Sequence, residues 1–281
     1  MAGLPRLVLD GIAMGESPRW HDGRIWFADW MAGRIVAVDE ASGAAEVVVE
    51  HASLPLCFDF APDGTLLVVS STERALLRRR SDGRLEPLAD LAPEGTHPWN
   101  DIVVDGRGNA YVNSIGFAFP EGEFAPGFVV LVRPDGTVRR VAEGLAFPNG
   151  MAVTADNSTL IVAESYADCL TAYDIAEDGG LSGRRVWASV PGDHPDGITL
   201  DADGAAWLAD VGSAHCVRVA EGGQVLADVP LDRGAFACIL GGTSAPTLYI
   251  TANAWGPDLT ASGGQLLAVG APAPRAGYPG W

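Results

Sequence analysis

Four residues, Glu16, Asn100, Asn149 and Asp196, carry the chemistry that this sequence offers most clearly. Each stands a similar short distance ahead of a turn: Asn100 eight residues before Gly108, Asn149 eight before Asn157, Asp196 eight before Gly204, and Glu16 seven before Gly23. Matched spacing before matched turns means matched places in a repeated fold, so the four side chains can converge. Two carboxylates and two amide carbonyls in one pocket suit a hard cation. Calcium accepts such mixed oxygen donors, with waters completing about six to eight sites. No His or Cys ligand set accompanies them, which argues against structural zinc. Carboxylates that close would repel without a cation, and one would have to hold a proton. Any single Asn or Asp here could be a turn cap; four at one repeat position point to a metal site.

The elements that must place these residues follow from the spacing of the turns. Six short apolar runs are centred on Trp26, Leu67, Tyr111, Ile161, Trp207 and Tyr249, at intervals of 41, 44, 50, 46 and 42 residues. Five of them directly follow a turn sequence such as Asp22-Gly23, Pro62-Asp63-Gly64 or Asp203-Gly204. Further runs come after each, for example Arg34-Ile35-Val36-Ala37-Val38 and Ala45-Glu46-Val47-Val48-Val49. Runs of this length, rich in β-branched and aromatic residues and split by turns, read as antiparallel strands. About four strands per period in the forties is the signature of a propeller blade. The expected fold is therefore all-β: a six-bladed β-propeller with a central metal site, spanning residues 1–281 as a single domain. The run Arg6-Leu7-Val8-Leu9 precedes the first repeat and is placed to complete the last blade beside Gln265-Leu266-Leu267-Ala268-Val269. The polar position is expected in the loop that leads into the strand nearest the axis. In repeats two and six it is apolar, around Leu56-Cys57 and Phe236-Ala237-Cys238.

Composition excludes several partners. The chain has 281 residues, with 18 Lys and Arg against 36 Asp and Glu, a formal net charge of −18. Phosphate backbones and anionic membrane surfaces are bound by clustered positive charge, so neither nucleic acid nor membrane is expected as a partner. No run approaches the ~20 apolar residues of a membrane helix, and Met1 to Gly15 lacks the pattern of a secretory signal, so a cytoplasmic location is expected. Cys57, Cys169, Cys216 and Cys238 fit no CxxC pattern and read as buried free thiols. Arg78-Arg79-Arg80 reads as a solvated edge. The stretch from Phe117 to Gly127 is long for a hairpin connection and is a candidate lid.

The local sequences Gly15-Glu16-Ser17-Pro18, Trp99-Asn100-Asp101, Pro148-Asn149-Gly150-Met151 and Pro195-Asp196-Gly197 resemble those of the family of senescence marker protein 30, gluconolactonase and luciferin-regenerating enzyme. The resemblance covers nearly the whole chain. It implies one divalent metal held by Glu16, Asn149 and Asp196, with Asn100 at the metal or in contact with substrate, and Asp196 as general base. Calcium is favoured, while zinc, magnesium and manganese are also accepted by relatives. The implied reaction is hydrolysis of a lactone or related ester. One position departs from the pattern. Sugar-lactone hydrolases of the family often carry an Arg where this chain has Pro98, which offers no hydrogen bond. Trp30, Trp99, Phe117, Phe119, Phe236 and Trp255 are candidate apolar walls, and His97 a candidate donor to substrate. A substrate less polar than an aldonolactone follows. Two other readings compete: an organophosphate hydrolase on the same centre, and a metal- or metabolite-binding propeller without catalysis.

Overall fold

The structure, a computed structural model, describes residues 3–254 and 263–277. These residues form six four-stranded antiparallel sheets, each of strands consecutive in sequence except the last. The sheets are blades 1 to 6, and their first strands are Gly15–His21, Leu56–Phe60, Trp99–Val104, Pro148–Val153, Pro195–Leu200 and Gly234–Gly241. Blade 6 takes its fourth strand from the N-terminus. Arg6–Ile12 pairs with Gly264–Gly270, with Arg6 opposite Ala268. The two ends of the chain are thereby fastened into one sheet, as the N-terminal run predicted.

The sheets pack face to face, and burial resolves into six apolar clusters, each shared by two neighbouring blades. Leu76 and Leu91 of blade 2 meet Trp99 and Val112 of blade 3. Tyr111 of blade 3 meets Leu160 and Val162 of blade 4. Ile25 and Phe27 of blade 1 meet Tyr249 and Leu266 of blade 6, which closes the ring. The remaining boundaries are filled in the same way. Strands buried on both faces need apolar residues at successive positions rather than alternate ones, which is why the second strands read as continuous apolar runs in the sequence. The four cysteines are buried and unpaired. Arg78 and Arg80 are exposed and meet Glu86 of the outermost strand of blade 2, but Arg79 is half-buried and its strand is paired on both sides, so the run is not an edge. No helix among the described residues is long and apolar enough to cross a membrane.

Candidate functional site

In every blade the first strand pairs with the second in one shared register. Gly15, Leu56, Trp99, Pro148, Pro195 and Gly234 stand opposite Asp29, Ser70, Ser114, Glu164, Asp210 and Asn253, the last residues of the six second strands. The next residue along each first strand is Glu16, Cys57, Asn100, Asn149, Asp196 or Ala235. The four polar residues thus occupy one structural position on blades 1, 3, 4 and 5. They lie within the first strands, not in the loops before them. The apolar members are Cys57 rather than Leu56, and Ala235 with Phe236 just after it.

The pairing breaks at this point. Register shifts fall between Glu16 and Arg19, Trp99 and Asp101, Pro148 and Met151, Pro195 and Ile198, and Ala235 and Ala237. Blade 2 alone pairs regularly, and it carries Cys57. A bulge leaves a residue out of the ladder and re-aims its side chain. Here it turns alternate-face residues toward the axis while Trp99 and Met151 stay in the inter-blade core.

The side chains meet there. Glu16, Arg19, Asn100, Asp101 and Asn149 line one axial cavity. The Asn100 amide donates to Asn149 Oδ1 at 3.0 Å, and the Asn149 amide donates to Ser165 Oγ at 3.3 Å. Asp196 joins the group through a hydrogen bond with Asn149 and the charge of Glu16. Burial pushes the Glu16 carboxyl up to about 8; the Ser17 amide opposes this, Asp101 adds to it, and Arg19 opposes it. Asp196 is held well above the ordinary carboxylate range, by desolvation first and then by Glu16, Asp101 and Asp210. Crowded oxygen donors with raised affinity for positive charge fit a divalent cation, which would let both carboxylates ionise.

Arg19 and Asp101 complete the floor. Arg19 Nε lies 3.1 Å from Asp59 Oδ1, and its guanidinium 3.5 Å from Asp101 Oδ1. The same guanidinium donates to the carbonyls of Pro18 and Ile102. Asp101 Oδ2 accepts the Met151 amide at 3.0 Å. Asp101 is pushed up to about 6 by burial, against the pull of Arg19. Sequence reasoning gave Asp101 no direct role and did not single out Arg19, because an ion pair between blades leaves no local pattern.

The segments leading into the site are clamped from outside. Asp29 Oδ1 accepts the Met14 amide at 2.9 Å, Glu164 Oε2 the Ala146 amide at 2.7 Å, and Asp210 Oδ2 the His194 amide at 2.7 Å. Ser71 Oγ does the same for Trp99 at 2.9 Å. Ala28-Asp29, Ala163-Glu164 and Ala209-Asp210 are a repeated signal for these clamps, legible in the sequence once the strands are aligned.

The expected substrate contacts divide. Trp99 is fully buried, its ring edge-on to Phe128 in the core between blades 2 and 3, so it does not wall the mouth. The register shift between Trp99 and Asp101 explains this: Asn100 and Asp101 line the cavity, while Trp99 stays in the core between the blades. Phe236 is buried just after the shared position of blade 6. His97 is exposed ahead of the first strand of blade 3. Phe117 is buried at the hub of an aromatic group with Phe119, Phe124, Phe147 and Tyr166. Trp30 is half-buried, and Trp255 lies outside the described residues. A further acidic group on blade 5 unites Asp193, Asp210 and His215 within 4.8 Å. Its atoms already serve one another and the chain: His215 lies 3.1 Å from Asp193 and from Asp228, and Asp210 accepts two backbone amides.

A six-bladed propeller with oxygen donors from four blades converging on its axis is the class defined by fold and site. The family profile described as SMP-30/Gluconolactonase/LRE-like region matches residues 14–254, and the chain belongs to that family. It is 28% identical to pentonolactonase XacC of Haloferax volcanii over 267 residues, 92% of this chain and 88% of that one. It is 30% identical to the diisopropyl-fluorophosphatase of Loligo vulgaris over 219 residues, 69% of this chain and 68% of that one. Its fold superposes on regucalcin from Agrobacterium tumefaciens, described as a calcium-binding protein, with a TM-score of 0.78 at 19% identity, covering 97% and 95% of the two chains.

Proposed function

We propose that the protein is a divalent-metal-dependent hydrolase that opens a lactone or related carboxylic ester less polar than an aldonolactone. The observation that carries this reading is the convergence of Glu16, Asn100, Asn149 and Asp196 at one register position, with both carboxyls held above their ordinary range. These four residues would hold the metal, calcium being favoured by an all-oxygen donor set. Such a cation supplies Lewis-acid polarisation of a carbonyl. Asp196 accepts a proton from the attacking water, a role suited to a carboxyl whose proton affinity is raised by burial and by Glu16. Asn149, fixed by Asn100 and Ser165, keeps Asp196 oriented through their hydrogen bond. Arg19 and Asp101 pair with each other in the lining of the same cavity. Relatives named as lactonases support the reaction class.

A second reading, hydrolysis of a phosphotriester or fluorophosphate on the same centre, is favoured by the relative named diisopropyl-fluorophosphatase. One experiment separates the two. Metal content is measured on the purified protein, and rates are compared on a panel of lactones and on diisopropyl fluorophosphate with calcium present. Lactone opening that a chelator abolishes is expected; turnover of the fluorophosphate alone would replace the lactonase reading with the second.

A further inference from the structure

Five aromatic rings interlock beside the mouth on blades 3 and 4. Phe117 is their hub, with centroids 6.2 Å from Phe119, 5.7 Å from Phe124, 5.8 Å from Phe147 and 6.3 Å from Tyr166. Phe147 closes the group, 5.2 Å from Phe119 and 4.8 Å from Tyr166. Phe117 is buried, but Phe119, Phe124 and Tyr166 are 39%, 49% and 54% exposed. Large apolar side chains gathered at one exposed place, on an otherwise acidic protein, mark a binding surface rather than chance.

The rings are joined to the proposed metal cage. The segment bearing Phe117, Phe119 and Phe124 leaves the end of the second strand of blade 3, opposite Trp99 and next to Asn100. Phe147 lies two residues before Asn149, with a backbone φ of 58°. Its carbonyl accepts the Ser165 amide, and the Ala146 carbonyl accepts the Tyr166 amide, each at 3.1 Å. Ser165 Oγ in turn receives the Asn149 amide and donates to the Pro195 carbonyl beside Asp196. Phe147 and Tyr166 are therefore tied by hydrogen bonds to the segments that bear Asn149 and Asp196, and Phe119 and Phe124 pack on them through ring contacts.

The geometry points to a subsite on Phe119, Phe124 and Tyr166 for an alkyl or aryl substituent of the substrate, seated over blades 3 and 4 while its carbonyl faces the cage. This rests on the hydrolase reading and specifies its substrate class: a lactone with an apolar chain on the ring carbon that bears the ring oxygen. Such a surface gains from each methylene it covers, and its two phenylalanine rings give a sugar hydroxyl nothing to pair with.

The test compares δ-decalactone with δ-valerolactone, which lacks the chain, in the full-length protein and in the variants Phe124→Ser and Tyr166→Ser. The wild type is expected to favour δ-decalactone by about tenfold or more in kcat/KM, mostly through KM, and each variant to cut that ratio severalfold. An unchanged ratio in both variants would overturn the subsite. Binding of 3-pentylcyclohexanone against cyclohexanone, measured by calorimetry, separates this idea from the reaction, since neither ketone can be hydrolysed. Chain-dependent binding that the variants weaken supports the subsite even if no lactone is opened. Sedimentation showing self-association that the same substitutions abolish would assign the rings to a second copy of the chain and overturn the proposal.

Discussion

Asp101 accepts the main-chain amide of Met151 at 3.0 Å, which ties blade 3 to the bulged strand that presents Asn149. Its other oxygen faces Arg19, which also pairs with Asp59 of blade 2. One guanidinium from blade 1 thus balances the buried Asp101 and the half-buried Asp59. Removing it would leave both without a cation, which typically costs about 3–5 kcal/mol for a buried pair. Arg19→Met is expected to lower the thermal midpoint markedly at saturating calcium, and adding Asp59→Asn should recover part of the loss. A midpoint equal to wild type in the single variant would show the pairs to be dispensable.

The stability of the metal-free protein should fall as pH rises. Glu16 has its carboxyl pushed from an ordinary 4.5 to about 8, and Asp101 from 3.8 to about 6, both chiefly by burial. Between the unfolded and folded values the native state holds more protons than the unfolded chain, so stability decreases with pH across that interval. The contribution is complete below about pH 4 and is lost through about pH 8. A bound divalent cation replaces those protons, so stabilisation by calcium should grow over the same range. Scanning calorimetry at pH 5 and pH 8, with chelator and with calcium, reads both slopes. A metal-free protein more stable at pH 8 than at pH 5 contradicts the assignment.

Glycines following the donor residues serve a close approach rather than a turn. A Cβ on Gly150 would come within 2.6 Å of the Asp196 carbonyl and the Ile198 nitrogen, and one on Gly197 within 2.3 Å of Ala237 Cβ. The first strands of blades 4, 5 and 6 touch backbone to backbone here, which sets the width of the axis. Gly197→Ala is expected to cost about 1–3 kcal/mol by overpacking. It should also weaken calcium binding, because Asp196 is the adjacent residue. Denaturant unfolding and calorimetric titration measure the two effects; a stable variant with unaltered affinity would show that the strands can part freely.

Much of this was legible in the sequence. Turns at Gly23, Gly64, Gly108 and Gly204 counted the blades, and Arg6 to Leu9 anticipated the ring closure, because local turn chemistry and apolar runs carry that information. The spacing before those turns also placed Glu16, Asn100, Asn149 and Asp196 at one repeat position, since antiparallel pairing turns sequence distance into a shared register. Contacts between blades were not legible. Arg19 with Asp59 and Asp101 spans residues 40 and 82 apart, and nothing local announces either pairing. Trp99 was expected as an apolar wall of the mouth, but the bulge beside it decides which side chain faces the axis and leaves Trp99 in the core.

Asp196 is where binding and chemistry can be separated. Asparagine keeps a carbonyl oxygen for a cation but cannot take a proton from water. Asp196→Asn is therefore expected to retain calcium, with affinity weakened by the loss of one charge, while lactone opening falls by about 10²–10⁴-fold. The change also removes a carboxyl that is itself held well above the ordinary range by burial and by Glu16. The metal-free variant should accordingly lose less stability than wild type between pH 5 and pH 8. Steady-state rates, calorimetric calcium titration and the two-pH melting experiment give three independent readings. Full activity with calcium bound would move the base elsewhere in the cage, and loss of calcium with loss of activity would leave Asp196 as a ligand alone.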